Sequence, residues 1–337
     1  MNQPTIYVGA SYRWSEHSSI YALDAHTGTQ AWQHPLQRTS VSYPVFYEAA
    51  IYHSTSDGFL CALRANDGSR LWQQQVHHQF PSPPTLANGM AYVCTGDNVV
   101  YAFRAIDGVL RWQQPVRDLM PIRPVAMSER VYVRSRDGSV HALQADDGSL
   151  LWRTPSRGEA LILLVATPDI VYLIESDRGL SALRANDGSP LWHQPTSYAG
   201  LSDPILNDGI LYLNAHDSIH ARRASDGSLV WRVRARGVLS LTAMNSRLFV
   251  CGGRNTTVEV NALRTGDGSL VWRWRTSFPE GGVTTPAVAH ETVYVGNGAT
   301  DGLYALHVNN GSILWHTLSE MGVTAAAVGD RNERPGV

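Results

Sequence analysis

The sequence contains no lysine, since all 27 of its basic residues are arginine. A lysine Schiff base, a lysine general base and a phosphate-binding loop that depends on lysine are therefore all excluded. Cysteine is nearly as scarce, and Cys61, Cys94 and Cys251 stand far apart in the chain. No cysteine or histidine cluster has the spacing of a zinc site. Each cysteine is predicted to be a buried, reduced side chain.

Long apolar runs and an excess of one charge are also missing. The longest apolar run, Ala160 to Ala166, is far too short to span a bilayer. A net charge of −2 gives no general attraction to nucleic acid or to an anionic membrane, so neither nucleic-acid binding nor membrane insertion is predicted. The first residues, Met1 to Pro4, lack a basic region and an apolar signal core. We expect the chain as written to be cytoplasmic, or extracytoplasmic if it is a domain excised from a longer protein.

Eight tryptophans recur at intervals of 39 to 43 residues. They are Trp32, Trp72, Trp112, Trp152, Trp192, Trp231, Trp272 and Trp315. Each follows an apolar strand and a turn that usually reads Asp-Gly, and a strand-rich repeat of about 40 residues is typical of a β-propeller. The sequence therefore predicts an all-β, eight-bladed β-propeller of four-stranded antiparallel blades, forming one domain over residues 1–337.

Blade 4 illustrates the repeat. Its four strands are predicted at residues 120–126, 130–134, 139–144 and 150–153, from the inner to the outer edge of the blade. Proline cannot donate a hydrogen bond to a sheet, so it belongs on an edge strand. Five prolines in register therefore mark the inner strand, which faces the central channel: Pro44, Pro84, Pro124, Pro204 and Pro286.

The two ends of the chain predict how the ring closes. The sequence starts with a strand of the second type, Thr5 to Gly9, with no inner strand before it. Near the other end, residues 322–328 resemble residues 282–288 of blade 8. The last strand is therefore expected to complete blade 1, which comprises residues 1–40 and 322–330 and leaves 331–337 as a tail.

The segment from Ala22 to Trp32 fits the tryptophan-docking motif Ala-x-Asp-x-x-Thr-Gly-x-x-x-Trp. The chain thus resembles the propellers with pyrroloquinoline-quinone (PQQ)-type repeats. These include quinoprotein alcohol dehydrogenases, the BamB-type outer-membrane assembly lipoprotein and sensor domains of bacterial Ser/Thr kinases. The resemblance implies that each of the eight tryptophans packs between neighbouring blades. Blades 2 to 8 keep the alanine, glycine and tryptophan but mostly replace the motif Asp by Arg and the Thr by Asp.

Within this family, the chain resembles the non-catalytic BamB-like members more than the dehydrogenases. The dehydrogenases bind PQQ and calcium at the channel mouth, using a vicinal disulfide, carboxylate and Asn ligands and a catalytic Asp. This chain has no adjacent cysteines and lacks the long insertions of those enzymes, so no catalytic residue, cofactor or metal is predicted. His77 and His78 do not suggest a metal site, because adjacent strand residues point to opposite faces; they are expected in a solvated loop.

A function is expected where blades depart from the template. Blade 1 has a long loop, Ala10 to Ser19, between its second and third strand types, and blade 7 has another, Gly252 to Thr257. Residues just before the proline register also diverge. Aromatic and Arg side chains on an exposed face are typical of interaction anchors. The candidate partner or ligand face is formed by Arg13, Trp14, Tyr43, Arg123, Asp203 and Arg254.

The sequence favours a monomeric binding or scaffold propeller that engages a protein or peptide on this face. The alternatives are a PQQ-dependent oxidoreductase and a ligand-sensing propeller of a larger receptor kinase. Arginines also cluster in blades 6 and 7, where they form either a solvated edge that resists strand pairing or a surface for an acidic partner. They are Arg222, Arg223, Arg232, Arg234, Arg236, Arg273 and Arg275.

Overall fold

The computed structural model describes residues 4–11, 17–37, 42–76, 81–155, 162–176, 178–195, 203–254, 257–277, 286–289, 291–296, 302–317 and 322–329. Within these ranges, 32 strands form eight antiparallel sheets of four strands each. The predicted all-β, eight-bladed propeller is confirmed.

The strands of blades 1 to 4, from the inner to the outer edge, are β32 (Gly322–Gly329), β1 (Thr5–Ser11), β2 (His17–Asp24) and β3 (Gln30–Gln37); β4 (Val45–Tyr47), β5 (Ala50–Thr55), β6 (Phe59–Arg64) and β7 (Arg70–Gln75); β8 (Thr85–Ala87), β9 (Met90–Cys94), β10 (Val99–Arg104) and β11 (Leu110–Pro115); and β12 (Val125–Met127), β13 (Arg130–Arg134), β14 (Val140–Gln144) and β15 (Leu150–Arg153). Those of blades 5 to 8 are β16 (Ile162–Ala166), β17 (Ile170–Glu175), β18 (Gly179–Arg184) and β19 (Pro190–Gln194); β20 (Ile205–Asn207), β21 (Ile210–Ala215), β22 (Ser218–Arg223) and β23 (Leu229–Arg234); β24 (Val238–Met244), β25 (Arg247–Arg254), β26 (Thr257–Arg264) and β27 (Leu270–Ser277); and β28 (Ala287–Ala289), β29 (Thr292–Gly296), β30 (Leu303–His307) and β31 (Ile313–Thr317).

The hydrophobic core lies between the blades. Tyr52 and Trp72 of blade 2, for example, share one cluster with Val93, Tyr101 and Phe103 of blade 3. The middle strands of a blade are consequently buried on both faces, as in β5, where all six residues are buried. The outer strand β7 alternates exposed and buried positions instead. Apolar residues that stabilise the ring by their burial therefore occupy layers between neighbouring sheets.

The eight repeat tryptophans lie in these layers, and most donate a hydrogen bond from the indole Nε1 to a backbone carbonyl of the next blade. The bonds run from Trp32 to Ala65 (3.0 Å), Trp72 to Ala105 (2.7 Å), Trp112 to Ala145 (2.8 Å), Trp152 to Ala185 (2.8 Å), Trp231 to Thr265 (2.8 Å), Trp272 to Val308 (2.8 Å) and Trp315 to Ala25 (3.1 Å). Each bond ties one sheet to the next at a single backbone atom.

A tyrosine on the second strand often donates to the same carbonyl. The Tyr52 hydroxyl donates to Ala105 at 3.1 Å, and the Tyr294 hydroxyl donates to Ala25 at 3.2 Å. The two aromatic rings also pack against each other, with centroids 5.9 Å apart in the Tyr52–Trp72 pair. This tyrosine recurs with the same period of about 40 residues, so the sequence alone could have predicted its place in the junction.

Trp192 of blade 5 is the exception. Its Nε1 is buried and has no hydrogen-bond partner among the described residues. The Gln194 side chain donates to the carbonyl of Asp226 at 3.0 Å and packs, together with Trp192, against Gly227. The interval from Trp192 to Trp231 is also the shortest of the seven, at 39 residues. The junction of blades 5 and 6 therefore keeps the ring contact but lacks the indole hydrogen bond.

The ring closes as the sequence predicts. Strand β32 pairs antiparallel with β1, from Thr5 opposite Gly329 to Ser11 opposite Gly322. Trp315 and Tyr294 of blade 8 both donate to Ala25 of blade 1. One junction of the ring is thus built from residues nearly 300 positions apart in the chain.

The inner strands are shorter than predicted. Residues 120–124 precede β12, whose bounds are Val125–Met127, and β14 begins at Val140, one residue late. In every blade that has the proline, this residue directly precedes a strand of only three residues. Inner strands without it, β16, β24 and β32, have five, seven and eight residues. Because proline has no N–H to donate, it marks where the ladder starts, and its placement inside the strand was wrong.

The two predicted loops are partly strands. Residues 10, 11 and 17–19 belong to the paired strands β1 and β2, and residues 252–254 and 257 to β25 and β26. A Cβ added to Gly252 or Gly253 would collide with the carbonyl oxygen of Gly237 or Thr257, respectively. Glycine thus permits close approach of the backbones, and the described part of each insertion lengthens a hairpin.

Replacing Gly108 with Ala tests the tryptophan packing. Gly108 has a φ of +71°, and a Cβ there would lie 2.6 Å from the Trp72 ring. Gly89 is the matched control in the same blade, because it has a φ of +72° and no atom within 4 Å of an added Cβ. We expect Gly89→Ala to lower the free energy of unfolding by about 1–2 kcal/mol through backbone strain, and Gly108→Ala by a further 1–3 kcal/mol or so through overpacking.

Urea denaturation of the two variants measures this difference. Equal losses of stability would show that the tryptophan contact adds nothing to the backbone strain.

Candidate functional site

One face of the disc carries the linkers that lead into the inner strands. Tyr43, Arg123 and Asp203 all lie there, each immediately before the proline that precedes an inner strand. Antiparallel order places the turns between third and fourth strands on the opposite face. Tyr43 is 48% exposed, a large value for an aromatic side chain. These three candidates therefore share the rim of one channel mouth.

Charges converge at this mouth. The Arg123 Nε donates to Thr85 Oγ1 of blade 3 at 3.3 Å, and that hydroxyl donates to the carbonyl of Pro124 at 2.6 Å. Surrounding protein lowers the pKa of Arg123, and the carboxylate of Asp203 partly opposes the shift. Arg134 behaves alike, since burial lowers its pKa while Asp203 and Cys94 act to raise it. Asp203, which precedes the inner strand of blade 6, thus acts electrostatically on two guanidinium groups of blade 4.

Arg134 was not among the predicted site residues. It ends β13 at a repeat position that holds a small side chain in other blades, such as Ser54, Cys94 and Cys251. Only 9% of it is exposed, although it carries a charge. An arginine in a register of small residues was the signal that could have identified it.

The remaining candidates are not placed by the structure. Arg13 and Trp14 lie outside the described residues, as do His77 and His78. The backbone of Arg254 ends β25 opposite Thr257, but its side chain is outside the described part. The predicted face therefore rests on Tyr43, Arg123 and Asp203, to which the structure adds Arg134.

A second candidate site is a cleft of about 780 Å³ between blades 6 and 7. One wall is the end of β23 and the following residues, with Arg234 and Arg236. The other wall is the face of blade 7, with Glu259, Arg273 and Arg275. This blade 6–7 cleft is lined by four of the seven arginines that cluster in blades 6 and 7.

Glu259 organises the blade 7 wall. Its Oε2 accepts a hydrogen bond from Arg275 Nε at 2.5 Å, and its Oε1 lies 3.2 Å from Arg273 Nε. Asn261 donates to Oε1 at 2.6 Å and accepts from Arg273 Nε at 2.7 Å. Burial raises the pKa of Glu259, but the bonds from Asn261 and Arg275 and the charges of both arginines outweigh it, so the pKa lies below its usual value. The carboxylate stays ionised and orients two guanidinium groups.

The cleft is explained by one substitution in the repeat. The Asn261 position on the third strand is Tyr in blades 1, 3 and 8, as Tyr21, Tyr101 and Tyr304. In blade 8, Tyr304 fills the space between Trp274 and His316, at ring distances of 5.1 and 4.0 Å. A smaller side chain leaves this space open. Blade 2 has Cys61 at this position and a cleft of about 560 Å³ against blade 1.

His53 lines this smaller cleft and breaks the template too. It is fully buried, and neither ring nitrogen has a hydrogen-bond partner among the described residues. The equivalent residues elsewhere are aliphatic, for example Val8, Val93 and Leu173. Burial and the neighbouring His34 lower the pKa of His53 to about 3, so the imidazole is neutral at physiological pH.

The described residues do not fit PQQ and calcium. Cys61, Cys94 and Cys251 are free, buried and located in three different blades, and burial raises the pKa of the Cys61 and Cys94 thiols to about 12. Among the described residues, no group of three His, Cys, Asp or Glu side chains could hold a metal ion. The carboxylate at the mouth, Asp203, faces two arginines.

Comparison with protein families identifies the repeat. The sequence model of the family described as outer membrane protein assembly factor BamB matches residues 16–123 and 114–317. The chain belongs to this family. Comparison with curated proteins gives no significant match. Among the described residues of this BamB-family chain, no helix is long and apolar enough to cross a membrane.

Solved structures confirm the architecture of the BamB-family propeller. BamB from Moraxella catarrhalis has a TM-score of 0.70 and 16% identity, over 84% of this chain and 89% of that chain. The computationally designed Ika8 protein has a TM-score of 0.71 and 15% identity, over 85% and 90%. Quinohemoprotein alcohol dehydrogenase ADHIIG from Pseudomonas putida HK5 has a TM-score of 0.66 and 12% identity, over 84% and 67%. At these identities the likeness shows the fold alone, and this fold is shared by BamB and an alcohol dehydrogenase.

Replacing His53 with Val tests the cost of the buried imidazole. Its folded pKa of about 3 lies below the ordinary 6.5, so its neutral form is favoured in the folded state. The contribution to stability is complete above about pH 6.5 and falls by about 1.4 kcal/mol per pH unit as the pH drops toward 3. His53→Val should therefore reduce the loss of unfolding free energy between pH 7 and pH 5 by about 2 kcal/mol.

Urea denaturation at both pH values measures this effect. The wild-type protein, measured at the same two pH values, is the reference. An unchanged pH dependence in His53→Val would contradict the assignment.

Proposed function

We propose that this protein is a non-catalytic scaffold whose channel-mouth face binds a protein or peptide partner. The observation that carries the proposal is the set of residues at that mouth. Tyr43, Arg123 and Asp203 occupy one repeat position, yet they differ from one another in size and in charge. Residues that differ between the repeats and lie on one shared surface are available for recognition of a partner.

The chemistry of the mouth suits a protein partner. Tyrosine and arginine are enriched among residues that dominate binding energy at interfaces. Arg123 is already held by Thr85, so less side-chain entropy is lost when it binds. The charges of Arg123, Arg134 and Asp203 can add electrostatic complementarity to a partner, which mainly improves specificity and association rate.

The family description supplies the class of partner. It names an outer membrane protein assembly factor, and we extend that role to this chain as a scaffold in a protein-assembly complex. Such a role requires a location outside the cytoplasm, in contrast to the expectation from the first residues of the sequence. The three thiols are buried, which keeps them unreactive in an oxidising compartment.

Site-specific photo-crosslinking tests the partner face. A photo-reactive phenylalanine analogue at position 43 should crosslink to one protein in the cells that make this chain. The control is the same analogue at position 106, because Ile106 is 78% exposed on the opposite face. Adding Arg123→Asp should reduce the yield from position 43 several-fold. Equal yields from positions 43 and 106, or none from 43, would contradict the proposal.

A thermal melt tests the enzymatic alternative. We expect the Tm to be unchanged by PQQ and Ca²⁺, because the described residues offer neither a vicinal disulfide nor a calcium ligand set. A specific ligand at 100 times its Kd adds about 2.7 kcal/mol, or roughly 4 °C for a domain of this size. A rise of that order would instead favour a quinoprotein oxidoreductase.

A further inference from the structure

We propose that the blade 6–7 cleft is a second binding site, and that it takes an extended, acidic peptide segment of a partner protein. The cleft lies between the face of blade 7 and the end of β23 with the residues that follow it. None of Tyr43, Arg123, Arg134 and Asp203 lines it, so the proposal does not depend on the function assigned to the channel mouth.

The size and the open side of the cleft suit a peptide. Its volume of about 780 Å³ lies in the range of ligand-binding pockets. Strands β23 and β27 are the outermost strands of their sheets, so each has a free edge beside the opening. A bound segment can therefore run along the cleft without displacing any strand.

The charge of the cleft selects an acidic ligand. Four guanidinium groups, those of Arg234, Arg236, Arg273 and Arg275, face the carboxylates of Glu259 and Asp217. The bonds of Arg273 and Arg275 to Glu259 and Asn261 use their Nε atoms. These bonds fix the two guanidinium planes, and among the described residues the Nη groups of Arg273 and Arg275 make no hydrogen bond. Fixed guanidinium groups bind carboxylates with good geometry and a small entropic cost.

The spacing of the arginines selects an extended chain. Arg273 and Arg275 are two residues apart on β27, and Arg234 and Arg236 are two residues apart on the opposite wall. Side chains on the same face of an extended strand repeat about every 6.6–7 Å. Acidic residues at alternate positions of an extended peptide have the same repeat. A peptide therefore matches both pairs, whereas a single phosphate group can contact only one arginine pair.

The apolar residues on the floor of the cleft determine which side chains are preferred between the acidic residues of the peptide. Val233, Ala235 and Leu270, which are partly or largely exposed, line this floor alongside the arginines. Burial of apolar side chains against this floor adds a favourable term that a purely charged polymer lacks. The preferred segment therefore alternates acidic and apolar residues.

Fluorescence polarisation with a labelled nine-residue peptide that alternates Asp and Val tests the proposal. The same peptide with Asn in place of Asp is the matched probe, because it keeps the shape and loses the charge. We expect the acidic peptide to bind, to bind more weakly as NaCl is raised, and to exceed the Asn peptide at least ten-fold in affinity.

Variants of the full chain locate the binding. Arg273→Gln combined with Arg275→Gln should weaken binding at least ten-fold, and Arg234→Gln combined with Arg236→Gln is a second variant on the other wall. Arg153→Gln is the control, because Arg153 has the same repeat position on blade 4, where it pairs with Asp137 at 2.5 Å; it should bind as the wild type does. A Tm measurement establishes that each variant is folded.

Three results would overturn the proposal. These are no binding of the acidic peptide, equal binding by wild type and both double variants, and equal affinity for the Asp and Asn peptides. Competition distinguishes other anions. Full displacement of the peptide by millimolar inorganic phosphate would show that the cleft binds a small anion and not a peptide. Tighter binding to vesicles of anionic phosphatidylglycerol than to the peptide would show that it binds a lipid surface.

Discussion

The ring depends on one contact that recurs between blades: an indole of one sheet donates to a backbone carbonyl of the next. The carbonyl of Ala105, for example, accepts from both Trp72 and Tyr52. The glycine beside it, Gly108, leaves room for the ring. A large apolar surface is thus buried with its polar atom satisfied. Because the blades have little core of their own, these junctions determine whether the sheets stay together.

Packing between blades also explains where the molecule can vary. A change at an exposed position of an inner or outer strand alters a surface, whereas a change at a buried position alters a junction between blades. Asn261 and Cys61 replace a filling tyrosine, and each lines a cleft. His53 replaces an aliphatic residue and leaves two nitrogens without partners among the described residues. Residues of the middle strands that differ from the repeat therefore produce clefts or buried polar atoms. Residues at the inner edge that differ from it change the channel mouth.

The period of the tryptophans predicted the blade number, and the turns and the alternation along each strand predicted the strand order. The likeness of residues 322–328 to residues 282–288 predicted the closure of the ring. The inner strands were misjudged because alternation continues past the proline, whereas the hydrogen-bond ladder begins only after it. The sequence showed that arginines cluster in blades 6 and 7, but could not show that Glu259 holds both Arg273 and Arg275. That contact depends on the register of β26 against β27. Arg134 was missed because its neighbours at the mouth come from other blades.

A closed ring of docked sheets has consequences for recognition. Each blade is held by both neighbours, and the last strand is paired within the first blade, so no seam provides a hinge. Side chains at the channel mouth and in the blade 6–7 cleft therefore keep fixed relative positions. A partner that contacts both sites must therefore match the distance between the channel mouth and the cleft. In such a molecule, specificity comes from geometry set by the repeat and from the few residues that depart from it.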